Sequence, residues 1–219
     1  MDQSLLNQNL KSLASSIAHE TRNPLTAIQG CCELIKDNLT QAMEFIELIS
    51  VSSTRGLSII DIILANVREE KIDETKFVEL SIADVVNLAI KEYGFESDEE
   101  KKFINLNLEN DFIFKGDETL MVFVLFNLLK NSLYYKAKID IWLGSDDGFN
   151  CVYFKDDGIG ISADKLPHIF DDFFTSNKKG GTGLGLPFCK RIMQAFDGNI
   201  ICESREREGV LFSLKFPIN

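Results

Sequence analysis

From Leu5 to about Asn38, apolar residues fall at Leu6, Leu10, Leu13, Ile17, Leu25, Ile28, Cys32 and Ile35, the three- and four-residue steps of a helical seam. A polar break at Asp37-Asn38-Leu39-Thr40 follows, and the pattern resumes through Phe45, Ile49, Leu57, Ile60, Leu64 and Val67. Two long amphipathic helices joined by a short break form an antiparallel hairpin. Such a hairpin cannot enclose both of its seams, so the pattern predicts pairing with a second copy into a dimeric four-helix bundle. A lone hairpin would leave an apolar stripe in water.

The helical pattern ends at Arg68-Glu69-Glu70-Lys71, which places a domain boundary there: residues 1–70 form the hairpin and 71–219 a second domain. Short alternating or β-branched runs predict strands at Phe77–Leu80, Phe103–Leu108, Ile113–Lys115, Ile139–Gly144, Cys151–Lys155, Asn199–Glu203 and Val210–Phe216. Helices are expected at Ile82–Tyr93 with Ser81 as N-cap, at Glu118–Tyr134, and at Leu184–Phe196 with Pro187 in its first turn. The expected class is α+β, a helical hairpin followed by an α/β sandwich of mixed strand order.

With 219 residues, 45% of them hydrophobic and 26% charged, the chain reads as an ordinary folded protein. Its net charge of −11 argues against a nucleic-acid or anionic-membrane surface, since either needs clustered Lys and Arg. Any phosphate must be held locally. No apolar run approaches the roughly 20 residues needed to cross a bilayer, and the longest candidate, Ile59–Ala65, is interrupted by Asp61. Met1-Asp2-Gln3-Ser4 lacks a secretory pattern, so a cytoplasmic location is expected for the chain as given, its parent protein being free to be anchored elsewhere. The five cysteines (Cys31, Cys32, Cys151, Cys189, Cys202) form no C-x-x-C pair and read as reduced, mostly buried thiols.

One of the two histidines, His19, opens the run His19-Glu20-Thr21-Arg22-Asn23-Pro24-Leu25. At roughly 200° around the helix from Ile17, it is expected to face water. A largely neutral imidazole with a carboxylate beside it is a usable nucleophile, and Glu20 is placed for that role. Asn23 lies at i+4 over the same face, where its amide can orient a water or an entering group. Pro24 removes a backbone donor and loosens the helix next to the reactive position. Alone, these residues are equally an ordinary surface histidine and a harmless kink. The run nevertheless resembles the phosphoacceptor box of sensor histidine kinases, His-Glu-x-x-Thr/Asn-Pro-Leu. That resemblance implies His19 as the phosphorylated residue, Glu20 as its acid/base partner and Asn23 as a participant in dephosphorylating a partner.

A phosphoacceptor needs a donor site, and three later segments fit one. Asn127-Leu-Leu-Lys-Asn131 sets two amides at i and i+4 on one helix face, neutral oxygens suited to a hard cation already bound to a triphosphate. Asp156-Asp157-Gly158-Ile159-Gly160 follows a strand, where a carboxylate can accept from the amine of adenine; Asp-Gly also marks a plain turn. Gly180-Gly181-Thr182-Gly183-Leu184-Gly185-Leu186 leads into a helix, where glycine amides and the helix N-terminus face phosphates.

In this order the segments resemble the N, G1 and G2 boxes of the histidine kinase catalytic domain, and Ile169-Phe170-Asp171-Asp172-Phe173-Phe174 looks like its F box. The implied second domain is a Bergerat-type (GHKL) ATP-binding sandwich, with ATP and Mg2+ as cofactors. The resemblance implies that Asn131 binds magnesium, that Asp156 binds adenine with Gly158 and Gly160 beside it, and that Asn127 completes the amide pair. It implies that Tyr135 is the aromatic near ribose or base, and that Lys178, Gly181, Thr182, Gly183, Leu184 and Gly185 form the phosphate loop. Lys178 and Lys179 are equally a solvated basic pair. Tyr134 occupies a position often basic in the family, with Lys130 and Lys136 as possible substitutes. Phe170, Phe173 and Phe174 read as packing residues, and His168, with no adjacent carboxylate in sequence, as structural. The segment Gly183–Met193 is similar to that of autoinducer-sensing hybrid kinases.

Related sandwiches occur in gyrase-type topoisomerases, heat-shock chaperones and mismatch-repair ATPases, where a glutamate four residues before the metal-binding asparagine activates water. Here that position is Asn127, so His19 is the better nucleophile. The implied activity is ATP-dependent autophosphorylation of His19, transfer to an aspartate of a receiver domain of a response regulator or hybrid kinase, and phosphatase activity. The alternative is a non-enzymatic histidine phosphotransfer scaffold with a vestigial ATP-binding domain.

Overall fold

The computed structural model describes residues 22, 24–36, 41–50, 52–53, 56, 60, 72–93, 95, 97–175 and 183–218. The expectations on His19, Glu20, Asn23, Lys178, Gly181 and Thr182 lie outside the described residues. The chain divides into two compact units, a first built on Met1–Lys71 and a second made of Ile72–Phe174 and Gly183–Asn219.

In the first unit α1 (24–36) and α2 (42–50, with helical residues as far as 60) form the two helical segments. Ile28, Ile35, Phe45 and Ile49 of the expected seams are half-buried, whereas Leu25, Cys32 and Ile60 are exposed. One helix can cover only one strip of its neighbour, so the remaining apolar positions stay in water: Leu25, Met43 and Ile46 are 62%, 78% and 50% exposed. Pro24 is buried, and a side chain at Gly56 would lie 3.3 Å from its ring. A glycine on α2 therefore lets the proline of α1 nest against it.

The second unit follows the order β1 (Val78–Ser81), α3 (Ile82–Glu92), α4 (Asp98–Lys101), β2 (Ile104–Asn107), β3 (Ile113–Gly116), α5 (Glu118–Leu133), β4 (Ile139–Asp146), β5 (Phe149–Asp156), α6 (Gly185–Ala195), β6 (Asn199–Ser204) and β7 (Val210–Pro217). A five-stranded sheet has the order β2-β4-β5-β7-β6, and β1 and β3 form a separate two-stranded sheet. Among the described residues the β2–β4 pair is the one parallel pair. The period-two alternation of β4 sends Ile139, Ile141 and Leu143 into the core; across β5 and β7 Ile141 lies in register with Phe154 and Phe212, and Leu143 with Val152 and Leu214. The helices cover that face with Val85, Val86 and Ala89 from α3, Leu125, Leu128 and Leu129 from α5, and Ile192 and Met193 from α6. The opposite face carries Trp142 stacked on its cross-strand neighbour Tyr153, ring centroids 5.0 Å apart.

In the second unit the expected strands and helices all form, with shifts at their ends. β4 and β5 run further than their alternation suggested because Asp147 (φ 49°) and Gly148 (φ 80°) are both left-handed, the two-residue hairpin turn that an Asp-Gly pair favours. The short α4 carries no apolar periodicity and was not expected. Pro187 sits in the first turn of α6 as required.

Ser81 caps α3: its Oγ accepts from the Asp84 amide at 3.1 Å and donates to Asp111 Oδ2 at 2.7 Å, while Asp111 Oδ1 accepts from the Ala83 amide at 2.9 Å. Ser81→Ala is therefore expected to cost about 1 kcal/mol, read in urea unfolding as a lower midpoint with unchanged slope.

Candidate functional site

Among the described residues the buried polar side chains are Ser132, Asp156 and Ser213, and two of these meet. Asp156 ends β5, where Ile139 of β4 and Val210 of β7 flank it in register. Its Oδ2 accepts from the Ser132 hydroxyl in the last turn of α5 at 2.6 Å, and its Oδ1 accepts from the Gly158 amide at 3.0 Å. Both oxygens are thus oriented by donors, as a buried carboxylate requires. The neighbouring Asp157 turns the other way, its Oδ1 accepting from the Lys138 amide at 2.7 Å. Burial pushes the Cys202 thiol up to about 12, with a smaller contribution from the negative charges of Asp156 and Glu203.

The glycines around Asp156 are there for close approach of backbone. At Gly160 (φ +67°) a Cβ would fall 2.0 Å from the Arg205 carbonyl oxygen, and at Gly209 (φ +82°) 1.9 Å from that of Asp156. The loop after Asp156 is thereby seated on the β6–β7 turn. Arg207 donates its amide to the Ile159 carbonyl at 2.7 Å; Ser204 Oγ accepts from the Ile161 amide at 2.8 Å and donates to the Gly209 carbonyl at 2.6 Å. In the described structure Gly160 makes room for the protein's own turn.

On α5, Asn127 and Asn131 are half-buried. Asn127 Nδ2 donates back to the Phe123 carbonyl at 3.0 Å, which aims its Oδ1 at the start of α6: a Cβ on Gly185 would meet that oxygen at 2.3 Å. Among the described residues no side chain caps the first turn of α6, whose N-cap residue is Leu184. Tyr134 and Tyr135 follow at the end of α5, 49% and 37% exposed, with rings edge to face at 4.9 Å.

The structure joins Phe173 to Gly183. The Phe173 amide donates to the Gly183 carbonyl at 2.9 Å; both residues are left-handed (φ 65° and 67°), and a Cβ on Gly183 would lie 2.3 Å from the Phe173 carbonyl carbon. Phe173, read as a packing residue, is 38% exposed, and its contact with Gly183 is made by backbone. His168, read as structural with no adjacent carboxylate, meets one three residues on: Nδ1 lies 2.7 Å from Asp171 Oδ2, and the Asp171 amide donates to the His168 carbonyl at 2.9 Å in the turn that joins them.

Sequence reasoning missed Ser132, Ser204 and Gly209. A serine after a polar helical residue and a glycine in a charged turn carry no local signal, and their partners lie far along the chain. Among the described residues no group of three His, Cys, Asp or Glu side chains is placed to hold a metal. Asn127 and Asn131, half-buried one helical turn apart on α5, carry neutral amide oxygens, a donor type that hard cations accept.

Residues 9–71 match the family model of the His Kinase A phospho-acceptor domain, and residues 116–219 match that of the histidine kinase-, DNA gyrase B- and HSP90-like ATPases. The chain carries the two domains of a sensor histidine kinase core, the helical hairpin and the GHKL-type sandwich. It is 37% identical over 219 residues to the autoinducer 1 sensor kinase/phosphatase LuxN of Vibrio campbellii, the match covering 95% of this chain and 26% of LuxN. It is 32% identical over 228 residues to the CAI-1 autoinducer sensor kinase/phosphatase CqsS of Vibrio cholerae, covering 94% and 33% respectively. The chain thus spans a quarter to a third of the length of these relatives. The catalytic domain of histidine kinase ThkA superposes with a TM-score of 0.55 at 28% identity, over 65% of this chain and 95% of that one. Among the described residues no helix is long and apolar enough to cross a membrane.

Gly148 and Gly160 separate two causes of strain, since both are left-handed but only Gly160 has backbone where a Cβ would go. Gly148→Ala is expected to cost about 1–2 kcal/mol, the left-handed penalty alone. Gly160→Ala is expected to cost more, because Arg205 must also move; equal losses in denaturant unfolding would contradict the proposed seating of the loop.

Proposed function

We propose that this chain, with a hairpin of 1–70 and a nucleotide-binding domain of 71–219, is a protein-histidine kinase core that phosphorylates His19 from ATP and passes the phosphoryl group to an aspartate of a receiver domain. The observation that carries the reading is Asp156. It is a buried carboxylate at a strand end, its oxygens held by Ser132 and Gly158, poised to accept from the exocyclic amine of adenine. A vestigial site, as the scaffold alternative requires, would have no need to keep a buried carboxylate so oriented.

In this reading Asp156 selects the base, with Gly158 and Gly160 shaping the loop beside it, and Tyr135 lies against the ribose or base. Lys178, Gly181, Thr182, Gly183, Leu184 and Gly185 cradle the phosphates, helped by the positive N-terminus of α6. Asn131, with Asn127 one turn away, would hold Mg2+, which when bound neutralises phosphate charge. The imidazole nitrogen of His19 attacks the γ-phosphorus in line. The bond to the β–γ bridging oxygen breaks, ADP leaves, and Glu20 takes the imidazole proton. Asn23 orients water for dephosphorylation of the receiver, a role supported by the kinase/phosphatase names of two relatives. The exposed Leu25, Met43 and Ile46 on α1 and α2 support a homodimer in which a second hairpin covers them. Use of ATP supports a cytoplasmic location, and the net charge of −11 speaks against a nucleic-acid partner.

His19→Gln is expected to abolish incorporation of label from γ-labelled ATP while nucleotide binding persists; residual labelling would overturn the assignment. For Asn23→Ala, the expected outcome is a larger loss of receiver dephosphorylation than of autophosphorylation, measured on the same preparation. Equal losses would remove the special role of Asn23.

A further inference from the structure

We infer that Ser132 is the positioning residue that sets the purine specificity of the nucleotide site, acting through Asp156. The inference deepens the proposed function and rests on its assignment of Asp156 to the base. The Ser132 hydroxyl has one proton to donate, and it goes to Asp156 Oδ2 at 2.6 Å. Ser132 is 2% and Asp156 6% exposed, so water cannot readily replace that donor, and a charge-assisted bond in this setting is among the stronger kinds. The serine itself is held. Its carbonyl accepts from the Tyr135 amide at 3.0 Å and the Ala137 amide at 3.3 Å, so the turn ending α5 carries the hydroxyl to a set place beside β5.

The carboxylate is bounded on its other sides as well. Gly158 donates to Oδ1 at 3.0 Å, and a Cβ on Gly158 would lie 3.0 Å from that same oxygen and 3.4 Å from the Ala137 methyl. Gly209 packs against the Asp156 backbone carbonyl. With one donor on each oxygen the carboxylate plane cannot turn freely, and its remaining lone pairs point in set directions. A carboxylate held in this way accepts from the 6-amino group of adenine, whereas the 6-oxo group of guanine presents only an acceptor and is repelled. Removing the Ser132 hydroxyl leaves Oδ2 without its oriented donor. The group then turns toward whatever donor remains, and part of the adenine preference is lost.

The test measures equilibrium binding of ATP and of purine riboside triphosphate, which lacks the 6-amino group, to the full chain and to Ser132→Ala, Ser132→Cys and Asp156→Asn. Ser132→Ala is expected to lower the preference for ATP over the amine-free analogue about tenfold. Ser132→Cys keeps the shape with a weaker donor and is expected to shift the preference in the same direction by less. A variant that weakens both nucleotides equally, or neither, would overturn the inference, because a merely structural serine cannot distinguish ligands that differ by one amine. Asp156→Asn is the control on the underlying assignment: it is expected to abolish most of the preference. Retention of the wild-type preference by Asp156→Asn would instead overturn the placing of adenine at Asp156, and the role of Ser132 with it.

Discussion

The second unit is organised around one buried charge. Asp156 stands where β5 ends, and every neighbour is arranged to make its burial tolerable: a hydroxyl from α5, an amide from the loop that follows, and glycines where its backbone meets other backbone. An unpartnered carboxylate in that position would cost several kcal/mol, so the end of α5, the tip of β5 and the β6–β7 turn are constrained together. Elements far apart in sequence are thereby held in register around a single acceptor.

Glycine has a double role in such a site. The resemblance to phosphate- and base-binding boxes explains why glycines are present, yet Gly160, Gly183 and Gly209 each answer an internal steric demand, a carbonyl or a backbone carbon within 2.3 Å of where a Cβ would stand. Tight seating of protein against protein is what gives a ligand-facing loop a defined shape. The contact between Phe173 and Gly183 does the same for the two chain segments it joins.

The first unit poses the opposite problem. Among its described residues, Leu25, Met43 and Ile46 stay exposed on the two helical segments, as apolar positions that one neighbouring helix does not reach. The nested contact of Pro24 with Gly56 shows the two helices meeting closely where the proline has removed a backbone donor.

Much of this was legible from residue order alone. Period-two and helical alternation placed the strands and long helices of the second unit, because burial of one face imposes those periods whatever the tertiary context. The histidine run, the paired asparagines, the Asp-Gly loop and the glycine-rich segment pointed to the family through local chemistry. Tertiary structure alone decided which lone polar residues matter. Ser132 lies 24 positions from Asp156 and Ser204 lies 43 from Ile161, and nothing local distinguishes either from any other serine. Hydrogen bonds between distant segments depend on how the chain packs, and so does the exposure of Phe173. Periodicity records which face is buried; only packing decides which atoms meet there.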